Sequence, residues 1–256
     1  MNDSAMARTM AILAAVSSSG EPLSAPAIAK STGMSRATAY RALEELADSG
    51  WLLQSDESPR RYRPCLRLAE LGLAVLTQHR APGAVLTSLC ALAAEVRRVC
   101  MFSVYEGGDL VVTDVVYVEG DRVTPTAEML RLPAAVSGAG KSLLAHQHPD
   151  EIERVVAKGL PTFGPRTRTT PKAIRQEIEE ARSRGYGTTE DEHEAAGGVG
   201  CPVFDQTGRA IGSFGVSGKP LSDEAFLPAV LDPLLRHARE ASAQLGYRRL
   251  STMAVT

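Results

Sequence analysis

Pro26-Ala27-Ile28-Ala29-Lys30-Ser31-Thr32-Gly33-Met34-Ser35-Arg36-Ala37-Thr38-Ala39-Tyr40-Arg41-Ala42-Leu43-Glu44-Glu45-Leu46 decides how the chain opens. Pro26 suits the first turn of a short helix, and Thr32-Gly33 breaks it. Ser35 can then accept an orphan backbone N–H and start a second helix, whose Ala39, Ala42, Leu43 and Leu46 fall on one inward face. Arg36, Thr38, Tyr40 and Arg41 are left pointing outward. Two helices joined by a glycine-containing turn, the second polar on its outer face, spell a helix-turn-helix.

The surrounding residues complete that module. Met10, Ile12, Leu13 and Val16 form an apolar stripe at helical spacing, so Arg8 to about Ser18 is expected as a first helix. After the recognition helix ends near Gly50, Trp51-Leu52-Leu53 and Arg61-Tyr62-Arg63 read as strands around the turn Ser55-Asp56-Glu57-Ser58-Pro59. Three helices and a hairpin give a winged helix-turn-helix over residues 1–65. Ser35, Arg36, Thr38, Tyr40 and Arg41 are the candidate DNA contacts on the helix, with Arg60 and Arg61 on the wing. Arg36 is the candidate for a base edge, because a guanidinium pairs bidentately with guanine; Ser35, Thr38 and Arg41 are assigned to phosphate.

Cys65 to His79 is too apolar for a solvated linker and is expected as a linker helix (66–81) packed on something, with Ala81-Pro82-Gly83 as a hinge. A second domain (82–250) follows, then a tail (251–256). Its expected elements are a helix over Val85–Val96 and a hairpin of Cys100–Tyr105 with Leu110–Tyr117 across Glu106-Gly107-Gly108-Asp109. Helices at Gly140–Gln147, Asp150–Lys158 and Lys172–Arg184 come next. A second hairpin, Val199–Phe204 with Ala210–Val216, precedes a closing helix over Leu227–Leu245. Strands without βαβ alternation indicate an α+β domain with a mostly antiparallel sheet.

Composition bounds the function. The 256 residues suffice for two cored domains, and 44% hydrophobic with 23% charged residues is ordinary for a globular chain. Residues 1–80 carry nine Lys/Arg against eight Asp/Glu, so positive charge must act locally, at Arg36 with Arg41 and at Arg60-Arg61-Tyr62-Arg63. No apolar run approaches the roughly 20 residues that cross a bilayer, and Met1-Asn2-Asp3-Ser4 lacks a secretion signal's layout, so a cytoplasmic protein without membrane partners is expected. The four cysteines are dispersed, which fits reduced thiols rather than a disulfide framework or zinc site; no cofactor and no metal are expected.

Thr32-Gly33-Met34-Ser35, Thr38, Arg41, Leu43, Gly50, Tyr62-Arg63 and Leu71-Gly72 occur in order in the first half. In the second come Ser137-Gly138-Ala139-Gly140-Lys141-Ser142-Leu143-Leu144-Ala145, Arg184-Gly185-Tyr186, Glu190-Asp191-Glu192-His193, Pro202-Val203-Phe204-Asp205, Gly208 and Val216-Ser217-Gly218. In this arrangement the chain resembles the IclR family of bacterial transcriptional regulators over roughly residues 8–247. The resemblance implies a GAF-like effector-binding domain, a homodimer or dimer of dimers, and a small molecule that alters binding to an inverted-repeat operator, as in a repressor. Where relatives often place an acidic residue, this chain has Thr188-Thr189; Gly197-Gly198 replaces a small or thiol position, and Gly215 replaces one of two paired serines. A roomier, less polar pocket and a larger acid, aromatic ones included, are expected.

The effector candidates are Gly138, Ala139 and Gly140, where small residues admit a carboxylate to backbone N–H groups, with Phe102, Met129 and Leu132 as apolar walls and Ser217 as a hydroxyl. Ala135 to Ser142 also satisfies a relaxed phosphate-loop pattern, which leaves a nucleotide-binding enzyme as an alternative. It lacks a preceding buried strand and a later strand ending in Asp, so no enzymatic activity is expected. Glu190-Asp191-Glu192-His193 is expected as a solvated loop over the pocket. A protein-interaction winged helix is the remaining alternative.

Overall fold

The structure is a computed structural model that describes residues 4–56, 58–160, 162, 164, 167–190, 197–218 and 225–248. The chain divides into two compact units, Met1–Gln78 and His79–Thr256.

The first unit contains the expected winged helix-turn-helix. Helix α1 (Ala5–Ser17) begins at Ser4, whose hydroxyl accepts the Ala7 N–H. Strand β1 (Leu23–Ser24) leads into α2 (Ala25–Thr32), which ends on Gly33 in the left-handed conformation at φ 71°. Helix α3 (Arg36–Asp48) starts at Ser35. Strands β2 (Leu52–Gln54) and β3 (Arg61–Pro64) form the wing, and β3 also pairs with β1 to give a three-stranded sheet in the order β1-β3-β2. Ile12, Val16, Ile28, Leu43, Leu46, Leu52 and Tyr62 make a single core. Each lies on the inward stripe of its element, so the polar face of α3 is left for solvent.

Helix α4 (Leu66–His79) follows. Within the single chain none of its residues is buried, and Leu66, Leu71, Leu73 and Val75 are exposed, so whatever its apolar face packs on is not supplied by the described residues. Only its start is tied down, by Arg67 donating to Ser49 O at 3.1 Å and stacking over Trp51 at 4.5 Å.

The second unit is built on one antiparallel six-stranded sheet. Its strands are β4 (Cys100–Glu106), β5 (Asp109–Glu119), β6 (Arg122–Pro133), β7 (Gly187–Glu190), β8 (Gly197–Phe204) and β9 (Ala210–Gly218), ordered β6-β5-β4-β9-β8-β7. The β4–β5 turn places Gly107 and Gly108 at φ 59° and 101°, the positive pair a tight hairpin needs. Helices α5 (Gly83–Val96) and α9 (Phe226–Gln244) cover one face around Phe102, Phe214 and Leu234. Helices α6 (Gly138–Leu144), α7 (Pro149–Lys158) and α8 (Pro171–Arg184) lie on the other side of the sheet around Leu143, Ile152 and Ile178.

At Arg80 and Ala81, just before and at the first residue of the Ala81-Pro82-Gly83 hinge that the sequence suggests, the chain is pinned. The fully buried Asp114 accepts from Arg80 Nε at 2.7 Å and from the Ala81 N–H at 2.8 Å. A buried carboxylate needs such partners, since unpaired it would be strongly destabilising.

Candidate functional site

In the first unit, Ser35 Oγ accepts the Thr38 N–H at 3.1 Å and meets Thr38 Oγ1 at 2.8 Å, so both hydroxyls serve the start of α3. Arg36, Tyr40 (42% exposed) and Arg41 project from the next turns. Together with Arg60 of the wing they line an open groove of about 800 Å³. Arg60 also lies 3.6 Å from Glu44, an exposed pair of small energetic weight. Arg61 turns elsewhere and donates to Pro22 O at 3.0 Å. The structure thus brings Arg36, Tyr40, Arg41 and Arg60 together, and places Ser35, Thr38 and Arg61 outside the groove lining.

In the second unit a cavity of about 130 Å³ lies between α6 and the sheet. For scale, apolar cavities of about 150 Å³ bind benzene. Its seat is set by close approach. A Cβ on Gly140 would stand 2.1 Å from Ala134 O, and one on Gly200 would stand 2.2 Å from Ala139 Cα, so α6 rests directly on the backbone of the preceding turn and of β8. Ser142 Oγ and Ser213 Oγ meet at 3.0 Å and tie the helix to β9. Ser137 caps α6 by accepting the Gly140 N–H at 2.9 Å.

Leu132, Gly138, Ala139 and Ser217 line this cavity as the sequence suggests. Three other candidates stand off it. Phe102 packs against Phe214 on the α5–α9 face at 6.3 Å between ring centres, because successive β4 side chains alternate and Met101 and Ser103 take the cavity side. Met129 is 63% exposed, while Leu130 and Leu132, one parity away on β6, form the wall. Gly140 is buried beneath Ala134 and supports the helix without reaching the space. Residues missed by the sequence reading include Ser103, Val112 and Ser137, which strand parity and the cap position would have supplied. Of the departures from the family pattern, Thr189, Gly197, Gly198 and Gly215 all sit on the wall.

The chemistry of the cavity is hydroxyl and backbone. Among the described residues no ionisable side chain lines it; the polar side chains are Ser103, Ser137, Thr189 and Ser217. Thr189 donates to Val136 O at 3.0 Å and so offers only lone pairs, whereas Ser137 accepts in its cap and keeps its proton. Lys141, the residue a phosphate loop would use, is 1% exposed and donates to Glu177 at 2.9 Å and Thr188 O at 3.0 Å. It is consumed in holding α6 to α8 and β7. Burial pushes the Cys100 and Cys201 thiols up to about 12, which makes them inert near neutral pH. Asp191, Glu192 and His193 lie outside the described residues, as does the 251–256 tail. Among the described residues no cluster of three metal-ligating side chains forms, and no helix is long and apolar enough to cross a membrane.

A winged helix-turn-helix with an arginine-lined groove, joined to a sheet domain with a ligand-sized cavity, defines a class of DNA-binding regulators with a sensor domain. Comparison gives the family. The model of the IclR helix-turn-helix domain matches residues 5–56, and that of the bacterial transcriptional regulator IclR C-terminal domain matches residues 74–243. The chain belongs to the IclR family of transcriptional regulators. It is 29% identical over 225 residues to the HTH-type transcriptional regulator KdgR of Escherichia coli, covering 84% of this chain and 82% of that protein. Its likeness to the HTH-type transcriptional regulator BhcR of Paracoccus denitrificans is higher, 36% over 118 residues, but spans 44% of this chain and 42% of that one. Among solved structures, an IclR homolog from Microbacterium hydrocarbonoxydans complexed with 4-hydroxybenzoate has a TM-score of 0.73 at 26% identity, covering 94% of this chain and 99% of that one. The Thermotoga maritima IclR superposes with a TM-score of 0.69 at 24% identity over 94% and 98% of the two chains, a likeness of fold.

Proposed function

We propose that this regulator is a cytoplasmic homodimer, or dimer of dimers, that represses from an inverted-repeat operator, and that a small apolar acid in the α6 cavity shifts its affinity for DNA. The observation that carries the reading is the pairing, in one chain, of an exposed Arg36–Tyr40–Arg41 helix face with a half-open cavity that no ionisable side chain lines among the described residues. Arg36 reads a guanine edge in the major groove; Arg41, with Ser35 and Thr38, fixes register on phosphate; Arg60 steadies the wing on the backbone, while Arg61 holds the wing to Pro22. Dimerisation is supported by the uncovered Leu66, Leu71, Leu73 and Val75 of α4 together with Met6 and Met10 of α1, since a monomer seldom exposes so much apolar surface. Two recognition helices then meet half-sites about 34–36 Å apart.

For the ligand, the Gly138 and Ala139 N–H groups at the start of α6 and the Ser137 hydroxyl offer donors to a carboxylate, and Leu110, Val112, Leu130 and Leu132 enclose its body. The structural neighbour's complex with 4-hydroxybenzoate supports an aromatic acid of that size. Fluorescence anisotropy of the chain on DNA from its own promoter, with and without 4-hydroxybenzoate, tests both halves. Binding that is tight, salt-dependent and changed by ligand is expected; no DNA retention at low salt sinks the operator reading.

A further inference from the structure

A second hollow, of about 550 Å³, opens in the second unit between the carboxyl end of α8, β8 and α9. It shares no lining residue with the α6 cavity: Gly197, Gly198 and Val199 of β8 border that cavity, whereas Cys201, Pro202 and Phe204 border this one. Strand β7 pairs with β8 only as far as Gly187 opposite Gly200, so the rest of β8 has no strand on that side among the described residues. The open edge does not invite one. Pro202 has no N–H, and the Phe204 N–H is already donated to Ser242 Oγ at 3.0 Å. An added peptide strand finds no ladder there, which leaves a small molecule as the occupant.

The charge of the lining has one sign. Arg182, Arg184 and Arg239 border the hollow, and among the described residues no Asp or Glu does. Cations at 182 and 184 complement the carboxyl end of α8, and they pair with Glu179 at 2.6 Å and Glu180 at 2.8 Å, exposed contacts of small weight. Arg239 fits neither description. It stands well before the end of α9, engages only its Nε, with Leu235 O at 3.0 Å, and meets no carboxylate among the described residues. Beside these cations the rings of Phe204 and Tyr247 stack at 4.9 Å, with His146 edge-on to Phe204 at 4.9 Å, and form an aromatic wall. Guanidinium forks match phosphate oxygens in pairs, and the volume falls within the range of about 300–1,000 Å³ usual for small-ligand pockets. We infer that this hollow is a second ligand site, which takes a phosphorylated organic molecule with its phosphate among Arg182, Arg184 and Arg239 and its body on the Phe204–Tyr247 wall. The inference is independent of what the α6 cavity binds.

The test is calorimetric titration of the full chain with matched probes: phenyl phosphate against phenol, adenosine monophosphate against adenosine, and inorganic phosphate alone. At least one organic phosphate should bind about tenfold more tightly than both its uncharged counterpart and inorganic phosphate. Arg239→Gln and Arg184→Gln should each weaken that binding about tenfold while melting within about a degree of the parent. Arg182 is left in place because its Nε also holds Ala145 O at 2.9 Å, at the end of α6. The DNA-reading helix is the competing place for a phosphate, so the double variant Arg36→Ala/Arg41→Ala should bind the same probe unchanged. No heat from any organic phosphate at roughly millimolar concentration overturns the inference. So does inorganic phosphate binding as tightly as the organic phosphates, which reduces the hollow to a simple anion site. Binding that survives both Arg239→Gln and Arg184→Gln, or that is lost in Arg36→Ala/Arg41→Ala, places the ligand elsewhere and overturns it as well.

Discussion

Helices α3 and α6 begin alike, each with a serine whose hydroxyl accepts the N–H three residues on, at 3.1 Å from Ser35 and 2.9 Å from Ser137. Their surroundings are opposite. In α3 the outward positions carry Arg36, Tyr40 and Arg41 to solvent, while all seven residues of α6 are buried. The same local signal therefore starts a surface that meets a macromolecule and a floor that encloses a small one. Side-chain character separates them: α3 carries large polar side chains on its outer face, and α6 begins Gly-Ala-Gly so that both faces can be covered.

The largest effect should come from adding bulk to the buried helix. Gly140→Ala places a methyl 2.1 Å from the Ala134 carbonyl and should cost about 3 kcal/mol, at the upper end of overpacking, which thermal unfolding would read as a fall of roughly 6–12 °C. A Gly20→Ala control, which meets open space, should leave the melting temperature within about a degree. If both behave alike, the contrast in packing is wrong.

Next in size are substitutions on the exposed helix, which should leave folding intact and change DNA binding. Arg36→Ala should lose about 1–3 kcal/mol on the operator and relax preference at one base pair, whereas Arg41→Ala should weaken specific and random DNA about equally. Anisotropy on both DNAs separates the roles; equal losses for Arg36→Ala would reassign it to the backbone. Third, Ser35→Ala and Ser137→Ala should each cost about 1 kcal/mol of stability through the lost cap. Only the first should impair DNA binding directly, and only the second should weaken acid binding in calorimetry.

The smallest effect concerns acid. Hydrogen bonds from Arg236 and then His237 hold Glu95 below the usual carboxylate range, joining α5 to α9. A lowered folded-state pKa gives stability that is complete above the unfolded value and is lost as pH falls through the folded one. Because the pair is about half exposed, the loss below pH 4.5 should stay under about 1 kcal/mol. Glu95→Gln should flatten that part of the stability-versus-pH curve without altering DNA binding.

What could be read from the residues follows from how each element earns its stability. The helices and the central strands advertise themselves through their own apolar periodicity, and β4, β5, β8 and β9 were legible for that reason. Strands β6 and β7 were not. They are the sheet's two edges, with Pro125 in β6 and the polar Gly187-Thr188-Thr189-Glu190 as β7, and both exist because a neighbouring strand offers its ladder. The cavity suffered from the same gap. Phe102 and Met129 are the large apolar residues of their stretches but stand on the wrong parity of their strands, while the smaller Ser103 is on the cavity side. On α3 the difficulty was milder, since helical spacing alone places Arg36, Tyr40 and Arg41 outward; spacing could not tell that Arg61 would turn to Pro22.

The glycines around the cavity are unequal in what they tolerate. A Cβ on Gly215 would lie 3.6 Å from the Ala139 methyl, an ordinary distance, and one on Gly198 would lie 3.3 Å from the Thr189 methyl, whereas Gly200 has no such latitude. Chemical preference can therefore drift through a single small change at 215 with the shell around it unmoved, and at 198 with the Thr189 methyl giving way by a few tenths of an ångström. That separation makes the domain a convenient chassis for biosensors, with a library confined to two positions.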